Sequence, residues 1–259
     1  MRIAITRGVS PSIGQCELTH LSRQEIDVNR ARSQHAQYEG ILTDLGCKVL
    51  RLPEEPDQPD SVFVEDTAIV LGDTAVITRP GASLRRNETE SIAEVLKEYR
   101  TLKQITEPGT LDGGDVLRIG RTLYVGNSAR SNIPGIKQLM EIVAPYGYDV
   151  EVVKVNGCLH LKSAVSLVGE ETLLINRSWV DANSFGSSRE FIDIDPVEPY
   201  AANALLVGDE LMVPQCFPRP RLRLESRGIG VRVVDVSELQ KAEGALTCCS
   251  LIFTEERQV

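Results

Sequence analysis

A hairpin pattern recurs four times along this chain, and a chain built from repeats of one small unit must stack or ring those units to cover their apolar faces. The first copy runs Phe63–Leu71, Gly72-Asp73, Thr74–Thr78, two β-branched runs about a glycine-containing turn. Asp115–Ile119, Gly120-Arg121 and Thr122–Val125 repeat it, as do Ser163–Val168, Gly169-Glu170, Thr172–Asn176 and Ala204–Val207, Gly208-Asp209, Glu210–Pro214. The turn glycines Gly72, Gly120, Gly169 and Gly208 lie 48, 49 and 39 residues apart. After the first hairpin, Asn87 with Glu90 three residues on predicts a helix carrying Ile92, Val95, Leu96 and Tyr99 along one side. A second such helix carries Ile136, Leu139, Met140 and Val143.

The N-terminal segment supplies matching parts. Met1–Arg7 alternates as a strand does. Ser22-Arg23-Gln24-Glu25 has the form of a capping box, predicting a long helix with Tyr38, Ile41, Leu42 and Leu45 on its apolar face and Gly46 at its end. Cys47–Leu52 is then a strand, and Pro53–Asp60 a proline-rich loop. A fifth unit starting at Leu246 and wrapping onto the N-terminal strand and helix closes a ring. Each unit then sends the residues leading into its first strand to a common centre. Those lead-ins are Glu65-Asp66, Asp112-Gly113-Gly114-Asp115, His160-Leu161-Lys162-Ser163, Ala202-Asn203 and Cys248-Cys249-Ser250, polar groups at positions that otherwise look buried.

Composition narrows the function classes. At 259 residues, 42% hydrophobic and 25% charged, the chain has the make-up of a globular domain, and one domain over 1–259 is expected. The longest apolar runs fall short of the roughly 20 residues a membrane span needs, and Met1–Arg7 does not have the form of a signal peptide, so a cytoplasmic protein without a membrane partner is expected. A net charge of -9 argues against nucleic acid and permits cationic small molecules. Six scattered cysteines without a CxxC pair, and three histidines far apart, speak against a disulfide scaffold or a structural zinc site.

Each lead-in has a plain structural alternative. Cys248 and Cys249 sit in an apolar run and read equally as small core hydrophobes. His160, between Leu159 and Leu161, is by itself a satisfied structural histidine; beside a thiol it is a candidate general acid/base. Asp112-Gly113-Gly114-Asp115 reads as a turn, yet it runs straight into a hydrophobic strand, and its glycines permit close approach of backbone or ligand. Glu65-Asp66 lies inside an apolar run, where carboxylates are tolerated if a guanidinium of protein or substrate meets them. Arg85 and Arg130, after the first and second hairpins, read on their own as surface charge.

Over nearly its whole length the sequence resembles the dimethylarginine dimethylaminohydrolases (dimethylargininases) of the pentein, or guanidino-group-modifying, superfamily. The resemblance is carried by Ser12–Gln15, Val62–Asp66, Ile77–Ala82, Leu111–Val116, Leu159–Ser163, Ala201–Asn203 and Leu246–Ser250, in order and at family-like spacing. It implies a five-bladed α/β propeller of ββαβ repeats with pseudo-fivefold symmetry about a central active-site channel. It also implies hydrolysis of methylated arginine to citrulline and a methylamine without a cofactor. By the same resemblance Cys248 is the nucleophile, His160 the general acid/base, and Asp112 the carboxylate linking it to the reacting guanidinium. Asp60, Glu65 and Asp66 hold substrate nitrogens, and Arg85 and Arg130 the substrate carboxylate. Leu18, Ala242 through its backbone, and Glu243 add substrate contacts. Glu243 departs from the family, which usually has Asp there. An inhibitory zinc ion on Cys248 and His160, and a homodimer, are compatible with this scheme. An arginine deiminase of the same superfamily and a catalytically silent binding protein are the alternatives; the chain has no room for the helical insertion of the former.

Overall fold

The computed structural model describes residues 1–255. Its elements are β1 (Arg2–Arg7), α1 (Val28–Asp44) and β2 (Cys47–Leu52); β3 (Ala68–Val70), β4 (Thr74–Ile77), α2 (Glu88–Leu96) and β5 (Thr101–Gln104); β6 (Val116–Ile119), β7 (Thr122–Asn127), α3 (Ile133–Val143) and β8 (Asp149–Lys154). There follow α4 (Leu161–Ala164), β9 (Val165–Leu167), β10 (Thr172–Ile175) and β11 (Glu190–Asp193). Last come β12 (Leu205–Val207), β13 (Glu210–Pro214), α5 (Pro218–Glu225), β14 (Val231–Val234), α6 (Ser237–Gln240) and β15 (Leu251–Thr254).

Five three-stranded sheets result, each with the same internal order. A first strand pairs antiparallel with a central one, and the central strand pairs parallel with a third after a crossover, as in β3-β4-β5 and β6-β7-β8. The ring closes as expected, because β15 pairs antiparallel with β1 and β1 parallel with β2. At the hairpin turns Gly120 and Gly208 adopt φ of +59° and +65°, a region that favours glycine.

Strand alternation explains how such small sheets are stabilised. Leu173 and Ile175 of β10 pack with Leu117, Ile119 and Tyr124 of the preceding blade, whereas Leu174 packs with Leu211 and Val213 of the following one. Ile3 and Ile5 likewise face Ile77 and Ile92, while Ala4 faces Tyr38 and Met212. With a side-chain period of two, every central strand feeds two cores, and the five apolar clusters lie between blades rather than inside one. At roughly 1.5–3 kcal/mol per buried aliphatic side chain, it is the neighbouring blade that stabilises each sheet.

Four local expectations are corrected. The Ser22 capping box does not open α1; the helix starts at Val28, where Asp27 accepts a hydrogen bond from the Arg30 amide at 3.0 Å. Asn87 stands at the start of α2, but its side chain makes no capping bond. The residues leading into the first strands are short helical turns, Val64–Thr67, Gly113–Asp115, Leu161–Ala164 and Thr247–Cys249, rather than strand. The crossover between β10 and β11 has only the turn Ala182–Phe185 in place of a long helix.

Because Leu174 is fully buried between two blades, Leu174→Ala should lower the unfolding free energy by about 2–4 kcal/mol. Urea denaturation should show this as a lower midpoint with an unchanged slope, and a loss under 1 kcal/mol would contradict the two-sided packing.

Candidate active site

The lead-in turns meet at the centre of the ring. The hub is Asp66, whose Oδ2 accepts a hydrogen bond from Arg85 Nη1 at 2.6 Å and whose Oδ1 accepts one from the Gly114 amide at 3.0 Å. Oδ1 also lies 3.8 Å from His160 Nδ1. On the far side of the ring, His160 Nε2 is 3.0 Å from Asp112 Oδ2. Asp112 is held in turn by the Gly81 amide, which donates to Oδ1 at 2.8 Å. The paired glycines are required by this crowding. A Cβ on Gly113 would sit 2.0 Å from the Glu65 carbonyl oxygen, and one on Gly114 would sit 2.6 Å from His160 Nδ1.

Cys248, His160, Asp60, Asp66, Arg85, Arg130, Ala242 and Glu243 line one cavity of about 10 Å³, so the thiol and the imidazole share a single space. That volume holds about one water. Anything the size of an arginine therefore needs the loop between β1 and α1 to withdraw. Three consecutive amides of that loop point at Glu243: Thr19 donates to its carboxylate at 3.0 Å, and His20 and Leu21 at 2.5 Å. Arg130 Nη2 donates to Thr19 Oγ1 at 3.1 Å, and the Glu17 amide to Asp60 Oδ2 at 3.0 Å. Glu243 itself has φ +56°, the one non-glycine residue in the left-handed region among those described.

The predicted residues thus divide. Asp112 does not face the cavity; it is fully buried behind His160, because Gly81 and the imidazole take its two oxygens. Glu65 is also out of the cavity: its carboxylate is paired with the Lys162 ammonium and accepts from Thr247 Oγ1 at 2.8 Å, beneath the turn that carries Cys248. Leu18 does not line the cavity but packs, partly buried, against the core cluster that includes Phe63 and Leu246. Glu243 does line it, with its carboxylate engaged by the loop amides rather than presented inward. Arg85 reaches the cavity with most of its donors already committed to Asp66, Glu88 and the Phe63 carbonyl. Among the described residues, one group of three ligand-type side chains converges, Asp66, Asp112 and His160, within 4.8 Å of one another.

Two further residues hold the arrangement without having been singled out. Asp115, fully buried, accepts from Ser128 and Ser131 Oγ, each at 2.6 Å, and from the Leu161 amide at 2.8 Å, which fixes the turn next to His160. Asn203 accepts from the Leu246 and Thr247 amides and donates to the Lys162 carbonyl, tying the nucleophile turn to the histidine turn. Both stand in lead-ins, and that shared position is the signal that finds them.

Electrostatics set the resting protonation. Burial, then the charges of Glu65 and Asp66, push the Cys248 thiol up to about 12. Burial alone would lower His160, but Asp66, the bond to Asp112 and nearby Asp115 outweigh it and raise the imidazole above its usual range. Burial would raise Asp66, and His160 with Arg85 reverses that and holds it below the carboxylate range. At neutral pH the site therefore sets a neutral thiol beside an imidazolium and a carboxylate. A cation in the cavity would offset the carboxylates and favour thiolate. The alkylation rate of Cys248 by iodoacetamide, followed by mass spectrometry of its peptide, should climb about tenfold per pH unit above neutrality and should not level off below about pH 10. A plateau near pH 7 would show that the thiol is already ionised. Glu243→Gln keeps one acceptor but loses the charge, so amide exchange at residues 19–21 should accelerate about tenfold or more. Unchanged exchange would mean that the carboxylate does not hold the loop.

Comparison with other proteins agrees with this geometry. Residues 15–192 match the family described as N,N dimethylarginine dimethylhydrolase, eukaryotic. The chain is 37% identical over 253 residues to the N(G),N(G)-dimethylarginine dimethylaminohydrolase of Streptomyces coelicolor, covering 97% of each. It is 35% identical over 237 residues to that of Pseudomonas aeruginosa, covering 91% of this chain and 92% of the relative. A cysteine-to-serine mutant of the Pseudomonas protein, solved with citrulline, superposes with a TM-score of 0.91 at 33% identity over 96% of this chain and 98% of that one. The N-terminal domain of a cyanobacterial arginine dihydrolase shares the fold, with a TM-score of 0.88 at 20% identity over 98% of both chains. With its five-bladed ring, its central Cys248 and His160, and these relatives along nearly its full length, the chain belongs to the dimethylarginine dimethylaminohydrolase family.

Proposed function

We propose that this protein hydrolyses Nω-methylated arginines, asymmetric dimethylarginine and monomethylarginine, to citrulline with release of dimethylamine or methylamine. The observation that carries this is the common cavity of Cys248, His160, Asp60 and Asp66, a thiol and an imidazole fenced by carboxylates that suit a planar cation. Family relatives with this name, and a related structure holding citrulline, support the same activity.

In this scheme Asp60 and Asp66 receive the guanidinium nitrogens and turn the central carbon toward Cys248. Arg130, with the free direction of Arg85, takes the substrate carboxylate, and the Ala242 carbonyl its amino group. The bound cation lowers the cost of a negative sulfur, so Cys248 gives up its proton to solvent as the substrate binds and attacks as thiolate. Collapse of the tetrahedral adduct breaks the bond to the methylated nitrogen, which leaves with the proton that His160 carries. A thiouronium on Cys248 remains. His160, now neutral, takes a proton from water, whose oxygen attacks the same carbon. The carbon–sulfur bond then breaks and citrulline departs. One water is consumed and no electron changes hands, so water is the only co-reactant this scheme requires. Asp112 and Asp115 act through His160 as positioning residues, and Glu65 with Lys162 supports the nucleophile turn.

The partner is thus a small molecule, and residues 1–259 work as one catalytic domain. No helix among the described residues is long and apolar enough to cross a membrane. Aqueous chemistry of this kind is consistent with a cytoplasmic protein, without nucleic acid and acting as a homodimer.

Purified protein should form citrulline from asymmetric dimethylarginine and release dimethylamine stoichiometrically. Cys248→Ser should abolish turnover, and His160→Asn should lower kcat by about 10²–10⁴-fold. Citrulline from unmethylated arginine alone would identify an arginine deiminase instead. Tight methylarginine binding without product would identify a silent binder.

A further inference from the structure

A second and far larger space opens at the other end of the ring. The small cavity lies among the lead-in turns, whereas this channel of about 740 Å³ is lined by the hairpin-turn residues Gly72, Asp73 and Gly120 and by the inner strands between. Four arginines line it: Arg2, Arg100, Arg118 and Arg121. Most arginines of this protein have a carboxylate oxygen within 4 Å, such as Arg30 with Asp235 or Arg177 with Asp193. These four have none among the described residues, and they converge on one opening.

Two of the four charges are fixed in place. Arg100 donates to the carbonyl oxygens of Leu71, Tyr99 and Thr254, and its guanidinium lies 5.0 Å over the Phe253 ring. Arg121 donates to the Tyr146 carbonyl at 3.0 Å and lies 4.9 Å over Tyr148. Carbonyls and ring faces orient a guanidinium without cancelling its charge. The carboxylates lining the channel are Asp73 at the rim and Glu65 on the floor, and Glu65 is already paired with Lys162. The protein as a whole carries a net charge of -9, so this local excess of positive charge runs against the average.

We propose that this channel binds a multivalent organic anion, phosphorylated or polycarboxylated, with its charged groups at the rim arginines and its apolar body against Leu117, Leu205 and Leu251. The volume is that of a metabolite-sized pocket, which a lone inorganic anion would leave mostly unfilled. The apolar walls favour an organic body, and the fork geometry of arginine favours carboxylate or phosphate oxygens. The site is separate from the catalytic cavity and does not depend on the hydrolase chemistry.

Isothermal titration of the full-length protein with ATP and, separately, with citrate, at constant ionic strength, tests this and distinguishes the two anion chemistries. At least one should bind with one-to-one stoichiometry, while adenosine should not bind. Arg118→Glu and Arg121→Glu, both at exposed positions, should each weaken binding about tenfold. Arg130→Ala, in the catalytic cavity, should leave it unchanged. Should a reversal variant fold poorly, the wild-type thermal midpoint provides a second measure, rising with the bound anion relative to chloride of equal ionic strength. Absence of saturable binding by either anion up to millimolar concentrations overturns the proposal. So does binding that survives both reversals, or binding lost in Arg130→Ala instead.

Discussion

Asp66 is the interaction on which the site depends. It is a carboxylate taken out of water, and it is stable there only because Arg85 and the Gly114 amide bond it directly while the His160 ring approaches from the side. Removing any one of them leaves a buried charge without its partner, an error worth several kcal/mol. The same network fixes three blades relative to one another, since Asp66, Gly114 and His160 belong to consecutive lead-ins. Assembly of the site and assembly of the ring are thus one event.

This explains why so few of the polar centre's residues are free to touch a ligand. Asp112 and Asp115 are occupied with His160 and its neighbour, Glu65 with Lys162 and Thr247, and Asn203 with two amides of the nucleophile turn. What lines the cavity includes a thiol, an imidazole, the carboxylates of Asp60 and Asp66, and the guanidinium groups of Arg85 and Arg130. A ring of five similar lead-ins therefore yields one reactive corner, where the thiol of one lead-in shares a cavity with the imidazole of another.

Much of the frame was legible in the sequence, because the hairpins announce themselves through period-two alternation and turn glycines, and Gly120 and Gly208 do take the left-handed backbone those turns need. Ring closure was legible too, since the strand after Cys249 has its antiparallel mate only at Met1–Arg7. The lead-in turns were not, for a helical turn of three or four residues spans about one helical period of 3.6 and so shows no repeat. The start of α1 was misplaced for a long-range reason: the amides after Leu18 are drawn to Glu243, more than 220 residues along the chain, and the local Ser22 signal loses to them. Likewise Glu65 looked substrate-facing until Lys162 was seen to claim it, a pairing 97 residues apart that no spacing rule encodes.

The blade made of β15, β1 and β2 has a bearing on biosynthesis. Its central strand β1 and one outer strand, β2, emerge early from the ribosome, yet the other outer strand, β15, arrives only after the other four blades have been made, and it is the one that follows Cys248. Until then β1 presents an unpaired edge, and the apolar clusters on either side of it lack a wall. The segment that closes the ring is thus the one that brings the nucleophile, so the thiol reaches the centre only with the last strand.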